Sequence, residues 1–133
     1  MSTPRSQDPT AFDAGTGGPP SGSKYTVIGS GEEITRNGGN IPDEFTAEIS
    51  NEPGTVSMAN TGQPNSGGSQ FFINVVHNDF LDFFNSRTPS KHPVFGKVVS
   101  DADLKLIQEI VSVPSKNDKP TTPVVMESIT IED

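Results

Sequence analysis

The chain has 133 residues, room for one domain, with 30% hydrophobic and 20% charged side chains and a net charge of −8. That acidity disfavours nucleic acid, whose phosphates are held by clustered Lys and Arg. The absence of cysteine excludes disulfides, thiol catalysis and Cys-based zinc sites. No run approaches the roughly 18 apolar residues of a membrane span, and residues 1–20 lack the apolar core of a secretory signal. A single soluble, cytoplasmic domain over residues 1–133 is expected, with neither nucleic acid nor membrane as partner.

Residues 1–40 are dense in Gly and Pro, and their large apolar side chains are only Met1, Phe12, Tyr25, Val27, Ile28 and Ile34. They read as loop, ordered only by what packs on them. From Gly54 the pattern tightens. Val56–Ala59, Phe71–Val76, Val94–Val99 and Val124–Ile131 are short runs rich in Val, Ile and Phe, bounded by turn residues, and predict strands. Ser100 stands three residues before Asp103, and Leu104, Ile107, Ile110 and Val111 then recur at helical period. This predicts one helix from Asp101 to Ser112, stopping before Pro114, with the sheet as its partner. The element order fits a largely antiparallel all-β or α+β domain rather than a βαβ array.

Three patterns look like chemistry and fail on spacing. Gly15 to Lys24 has the composition of a phosphate loop, but it reads Gly-Ser-Lys rather than Gly-Lys-Ser/Thr. No apolar strand precedes it, and Pro19 and Pro20 have no N–H to give. His77, Asp79, Asp82 and His92 can be drawn as a metal site, yet the histidines lack the i, i+4 spacing of a helical zinc pair, and no metal is expected. No Gly-x-Ser-x-Gly elbow exposes a serine for a Ser-His-Asp triad.

The stretch Gly54 to Ile73 differs in kind. A half-apolar strand ends at Met58-Ala59-Asn60, a polar turn region runs from Thr61 to Gln70, and an aromatic strand starts at Phe71. Simple hairpins use about two to five connecting residues. A longer loop dense in Gly and Asn, flanked by amides and aromatics, points to a binding groove.

Those residues carry a family resemblance. Val56–Asn60 (VSMAN), Asn65–Ile73 (NSGGSQFFI), Phe80–Asp82 (FLD), Lys91-His92 and Val94–Val98 (VFGKV) together resemble the central signature of the cyclophilins. The likeness also takes in Asp43-Glu44-Phe45 and the closing helix and strand, so that 41–133 carries the signature. A fainter echo of the family's Gln-Gly-Gly-Asp element and Gly-rich loop lies at Gln7–Thr10 and Gly15–Gly18. The resemblance implies a mostly β domain with one C-terminal helix. Its core would be an antiparallel barrel, partly open if the N-terminal strands are absent. It also implies peptidyl-prolyl cis–trans isomerisation in protein folding, without cofactor, on proline-containing peptides and folding chains, with cyclosporin-like molecules as further ligands.

By the same resemblance, Phe72, Leu81 and His92 would line a cup for the proline ring. Asn60, beside Ala59, would pair through its backbone with the residue before proline. Gln70 would position the substrate carbonyl, and Phe80 would stand where many members carry Trp. Gln70 and His92 are thus the catalytic candidates, and Ala59, Asn60, Phe72, Phe80 and Leu81 the substrate-binding ones. The family's arginine, in a Phe-His-Arg-Val-Ile strand before the Gln-Gly-Gly-Asp element, has no counterpart here. Arg5, Arg36 and Arg87 do not match its position. The alternative to an isomerase is therefore a non-catalytic proline-peptide binding module or an inactive fragment. Between Asp82 and Lys91, where the family usually has about one glycine, residues 83–90 intervene. Phe83 and Phe84 would either widen the cup or pin this loop to the barrel.

Overall fold

A computed structural model describes residues 17–132. The strands are β1 (Lys24–Thr26), β2 (Glu33–Thr35), β3 (Thr55–Met58), β4 (Phe71–Ile73), β5 (Val94–Lys97), β6 (Ser115–Lys116) and β7 (Lys119–Pro120). A single α-helix, α1 (Asp101–Val111), follows β5, and a 3-10 turn covers Asp79–Leu81. The sheets are antiparallel and unclosed: β1-β2, a central β4-β3-β5, and β6-β7.

The central sheet puts Ser57 opposite Phe72 and Met58 opposite Phe71. A register shift at Val56/Ser57 sets Gly96 and Val94 against successive β3 residues, leaving Phe95 as the extra residue of a bulge. Along β3 the buried positions are Thr55 and Ser57, while Val56 and Met58 are half-buried. The usual assignment of faces is thus reversed, and among the described residues no large apolar side chain is fully buried. What is buried is polar: Asn51, Thr55, Ser57, Asn74 and Asp82.

Four sequence expectations are corrected. Residues 1–40 were expected to be loop throughout, yet β1 and β2 form a hairpin, with Tyr25 opposite Ile34 and an ion pair between Lys24 and Glu33. Alternation over three residues on each side was too short a pattern to stand out against the surrounding glycines. Val124–Ile131 forms no strand, and Ile129 and Ile131 lie exposed without a ladder partner among the described residues. β4 and β5 are shorter than their apolar runs, ending at Ile73 and Lys97 where β3 itself begins, with Asn74 N–H and Val98 N–H making the last bonds, to the Thr55 and Gly54 carbonyls. Finally, α1 does not lie over the sheet. Its start is as expected, with Asp103 N–H donating to the Ser100 hydroxyl, but its apolar stripe is only half-buried. Leu104 and Val98 close on Gly54 at the end of the sheet.

The β6-β7 hairpin was not anticipated. Asn117 and Asp118 both hold positive φ (51° and 61°), the conformation of a two-residue type I′ turn. The segment's lack of apolar residues hid it.

Gly54 sits at φ +85°, and a Cβ there would stand 2.9 Å from Val98 Cγ2. Gly54→Ala is expected to cost about 1–3 kcal/mol, from left-handed strain plus the clash. Chemical denaturation reads this as a lower midpoint. Gly18→Ala, with open space around it, should leave the midpoint where it is.

Candidate functional site

The buried polar cluster positions everything around it. Asp82, at the exit of the 3-10 turn, accepts from the Asn51 backbone N–H and side-chain amide, both at 2.8 Å, and from the Ser50 hydroxyl at 2.6 Å. The Asn51 amide oxygen accepts from Ser57 Oγ at 2.6 Å and Asn74 Nδ2 at 3.2 Å, joining β3 to the end of β4. Asn74 also donates to Thr55 Oγ1 at 2.9 Å and accepts from Asn78 Nδ2 at 2.8 Å. Asn51 Nδ2 lies 3.2 Å from the His92 carbonyl. Each buried amide is therefore satisfied, as burial of such groups requires. Sequence reasoning missed Asn51, Ser57 and Asn74; the signal was the polar set Thr55 and Ser57 alternating with Val56 and Met58.

His77, Ser50 and Asp82 do meet, but in an order that offers no nucleophile. The Ser50 hydroxyl spends its only hydrogen on Asp82, so His77 Nε2–H donates to Ser50 Oγ at 2.9 Å. Among the described residues no three His, Asp or Glu side chains converge as metal ligands.

Beside this scaffold lie several of the predicted site residues. His92 meets Phe72 edge-to-face, ring centroids 5.4 Å apart at 76°. Its Nδ1–H donates to the Met58 carbonyl at 2.9 Å, and its backbone N–H donates to the Leu81 carbonyl at 3.1 Å. Ala59 N–H donates to the Gln70 carbonyl at 2.9 Å, extending the β3-β4 ladder into the long loop. Asn60 has its side chain pinned: Nδ2 donates to the Lys91 carbonyl at 2.6 Å, and Oδ1 accepts from Gly62 N–H at 2.8 Å. Its own backbone N–H and C=O have no partner among the described residues.

Ala59, Asn60 and Gln70 line a hollow of about 500 Å3 whose far wall is built by Gly17, Gly18 and Gly39. Gly39 belongs there because the Pro19 carbonyl leaves no room for a Cβ. Gln70 Nε2 donates one hydrogen to the Gly17 carbonyl at 2.8 Å, and its second has no partner among the described residues. Phe80 lies apart: it is 52% exposed and makes no ring contact with Phe72 or His92 among the described residues. Phe83 and Phe84 make no ring contact with Phe72 or His92 among the described residues either: Phe83 stacks on Phe45 at 5.0 Å and 16°, with Phe84 against its edge. The pinning alternative is the one realised. The echo at Gln7–Thr10 lies outside the described residues, as do Arg5, Gly15 and Thr16.

The family model described as cyclophilin type peptidyl-prolyl cis-trans isomerase/CLD matches residues 11–131. A peptidyl-prolyl cis-trans isomerase of Acinetobacter baylyi is 38% identical over 97 residues, 69% of this chain and 50% of that protein. Peptidyl-prolyl cis-trans isomerase A of Mycobacterium tuberculosis is 41% identical over 92 residues, 67% of this chain and 46% of its own length. The human peptidylprolyl isomerase domain and WD repeat-containing protein 1 is 41% identical over 98 residues, 71% of this chain and 14% of that protein. The unclosed antiparallel sheets and the groove beside β3 and β4 define a partial cyclophilin fold, and the chain belongs to the cyclophilin family. It spans about half the length of the two bacterial relatives.

Burial raises the pKa of Asp82, but hydrogen bonds from the Ser50 hydroxyl and from the Asn51 side chain and backbone, with His77 nearby, outweigh it and hold the carboxyl below its ordinary value. A carboxylate depressed by folding stabilises the protein above its unfolded pKa of about 3.9, and that contribution is lost as pH falls through the lower folded value. Wild type should therefore lose stability below about pH 4. Asp82→Asn should be less stable by about 3 kcal/mol at pH 7 and show a flatter acid limb in denaturant titrations. Identical acid limbs in the two proteins would assign the acid sensitivity to other carboxylates.

Proposed function

We propose that the protein is a peptidyl-prolyl cis–trans isomerase that acts on X-Pro bonds of folding chains. Rotation about a peptide bond is opposed by a resonance barrier of about 18–20 kcal/mol, and uncatalysed X-Pro exchange takes about 10–100 s. No bond is made or broken, so the catalyst needs no nucleophile and no cofactor. It needs an apolar cup for the ring, polar anchors on either side, and better complementarity to the twisted imide than to either planar isomer.

The observation that carries the reading is the junction of the Phe72–His92 pair with the free backbone of Asn60, 12 residues upstream of Phe72 in sequence but joined to His92 through the Met58 carbonyl and the β3-β4 ladder. In this reading Phe72, His92 and Leu81 hold the proline ring, and the Asn60 backbone pairs with the residue before it. Gln70 offers its free amide hydrogen to the substrate carbonyl, and Ala59 floors the hollow. Phe80 supplies only an outer apolar surface. Cyclosporin-like molecules would occupy the same groove, and the cytoplasm is the expected compartment.

A second reading, a proline-peptide binding module without catalysis, is favoured by three of the described cations being engaged elsewhere. The Arg36 guanidinium lies over the Tyr25 ring at 4.7 Å, Lys91 Nζ over Phe45 at 5.6 Å, and Lys24 on Glu33. Loss of a donor at the imide nitrogen would cost on the order of 10²–10³ in rate, as where single donors have been removed elsewhere.

A coupled assay on an Ala-Pro peptide separates the two: acceleration that is lost on adding a competing prolyl peptide supports the isomerase, and binding without acceleration supports the module. Phe72→Ala and His92→Ala should each weaken peptide binding about tenfold, the loss of roughly 1.4 kcal/mol of contact. Unchanged affinity in both would remove the cup from the account.

A further inference from the structure

Ser90 closes residues 83–90 back onto the site. Its hydroxyl oxygen lies 2.6 Å from His92 Nε2 and 3.3 Å from Asn60 Oδ1, and a Cβ on Gly62 would stand 3.7 Å from it. It therefore touches both halves of the wall at once. The proton placement follows from His92's other nitrogen. Nδ1 faces a carbonyl, the Met58 oxygen, which can only accept. In the neutral ring Nδ1 must hold the proton, Nε2 must accept, and the Ser90 hydroxyl must donate to it.

The loop holds Ser90 for this purpose by several independent ties. Thr88 Oγ1 has one hydrogen to share between the Phe80 carbonyl, at 2.6 Å, and the Ser90 carbonyl, at 2.8 Å. Thr88 N–H bonds the Asn85 carbonyl, and Phe83 is stacked on Phe45 at the loop's beginning. We infer that Ser90 is a positioning residue. It fixes the tautomer and ring plane of His92 against Phe72, so that the cup keeps one geometry. This rests on the prolyl-peptide reading for its consequence, but its structural part stands without it.

The test compares Ser90→Ala with Ser90→Thr in the full chain. Ring 15N shifts report which imidazole nitrogen is protonated. Wild type and Ser90→Thr should show His92 with Nδ1 protonated and Nε2 hydrogen-bonded, and Ser90→Ala should lose the Nε2 hydrogen-bond signature. The same variant should bind an Ala-Pro peptide about three- to tenfold more weakly, as loss of one hydrogen bond to a binding residue predicts, and Ser90→Thr should restore affinity. Unchanged amide shifts for Asn51, Ser57 and Asn74 in Ser90→Ala exclude a general loss of fold. His92 ring shifts that are the same in Ser90→Ala and wild type would overturn the inference, as would equal peptide affinities. If wild type itself binds no prolyl peptide, the functional reading fails and the ring shifts alone decide the role of Ser90.

Discussion

One carboxylate, that of Asp82, takes up the backbone N–H and amide of Asn51 and the hydroxyl of Ser50, and from Asn51 the hydrogen bonds run on to Ser57 in β3 and Asn74 beyond β4. Breaking such a buried group out of its network leaves several donors unsatisfied together, each costing about 1–3 kcal/mol. In a molecule whose described residues bury no large apolar side chain completely, directional bonds replace the apolar core as the element that fixes relative positions. Hydrophobic contact alone tolerates sliding; a network with one acceptor for each donor specifies one register.

That constraint suits the proposed chemistry. Isomerisation rewards a binding wall that does not adjust itself to planar substrate, because only interactions stronger in the twisted state accelerate rotation. The wall is mounted on the network at two points: Ser57 lies directly opposite Phe72, and Asn51 Nδ2 reaches the carbonyl of His92. The ring pair is therefore hung from the same amide that Asp82 holds. The glycine-lined side of the hollow is attached more lightly, by Gln70 to Gly17 and by the bridge of Ile41 to Gly67. The groove thus has one side that carries the aromatic cup and one side built largely of backbone.

Much of the site could be read in the sequence because its residues lie in a few contiguous runs. The starts of β3 and β4 and the α1 cap at Ser100 are local signals, and they are found within a residue of where they were expected. What could not be read was which face of β3 would be inside. Alternation shows that Thr55 and Ser57 share a face, but burying them depends on Asn51, Asn74 and Asp82 arriving from three separate segments. Phe80 shows the converse: its place in a run that resembles the family gave it a role that its exposed ring does not share with Phe72 and His92. The β1-β2 and β6-β7 hairpins rest on turn conformations at Gly29, Gly31, Asn117 and Asp118 that short polar strands do not announce.

Amide hydrogen exchange measures the central claim directly. The N–H groups of Asn51, Ala59, Asn74 and His92, bonded respectively to Asp82, Gln70, Thr55 and Leu81, should exchange slowest, with similar opening energies, because they belong to one cooperative unit. In Asn51→Ala all four should speed up together while α1 changes little. Slower exchange in α1 than in these four, or acceleration confined to residue 51 and its neighbours, would show that the polar network does not hold the binding wall.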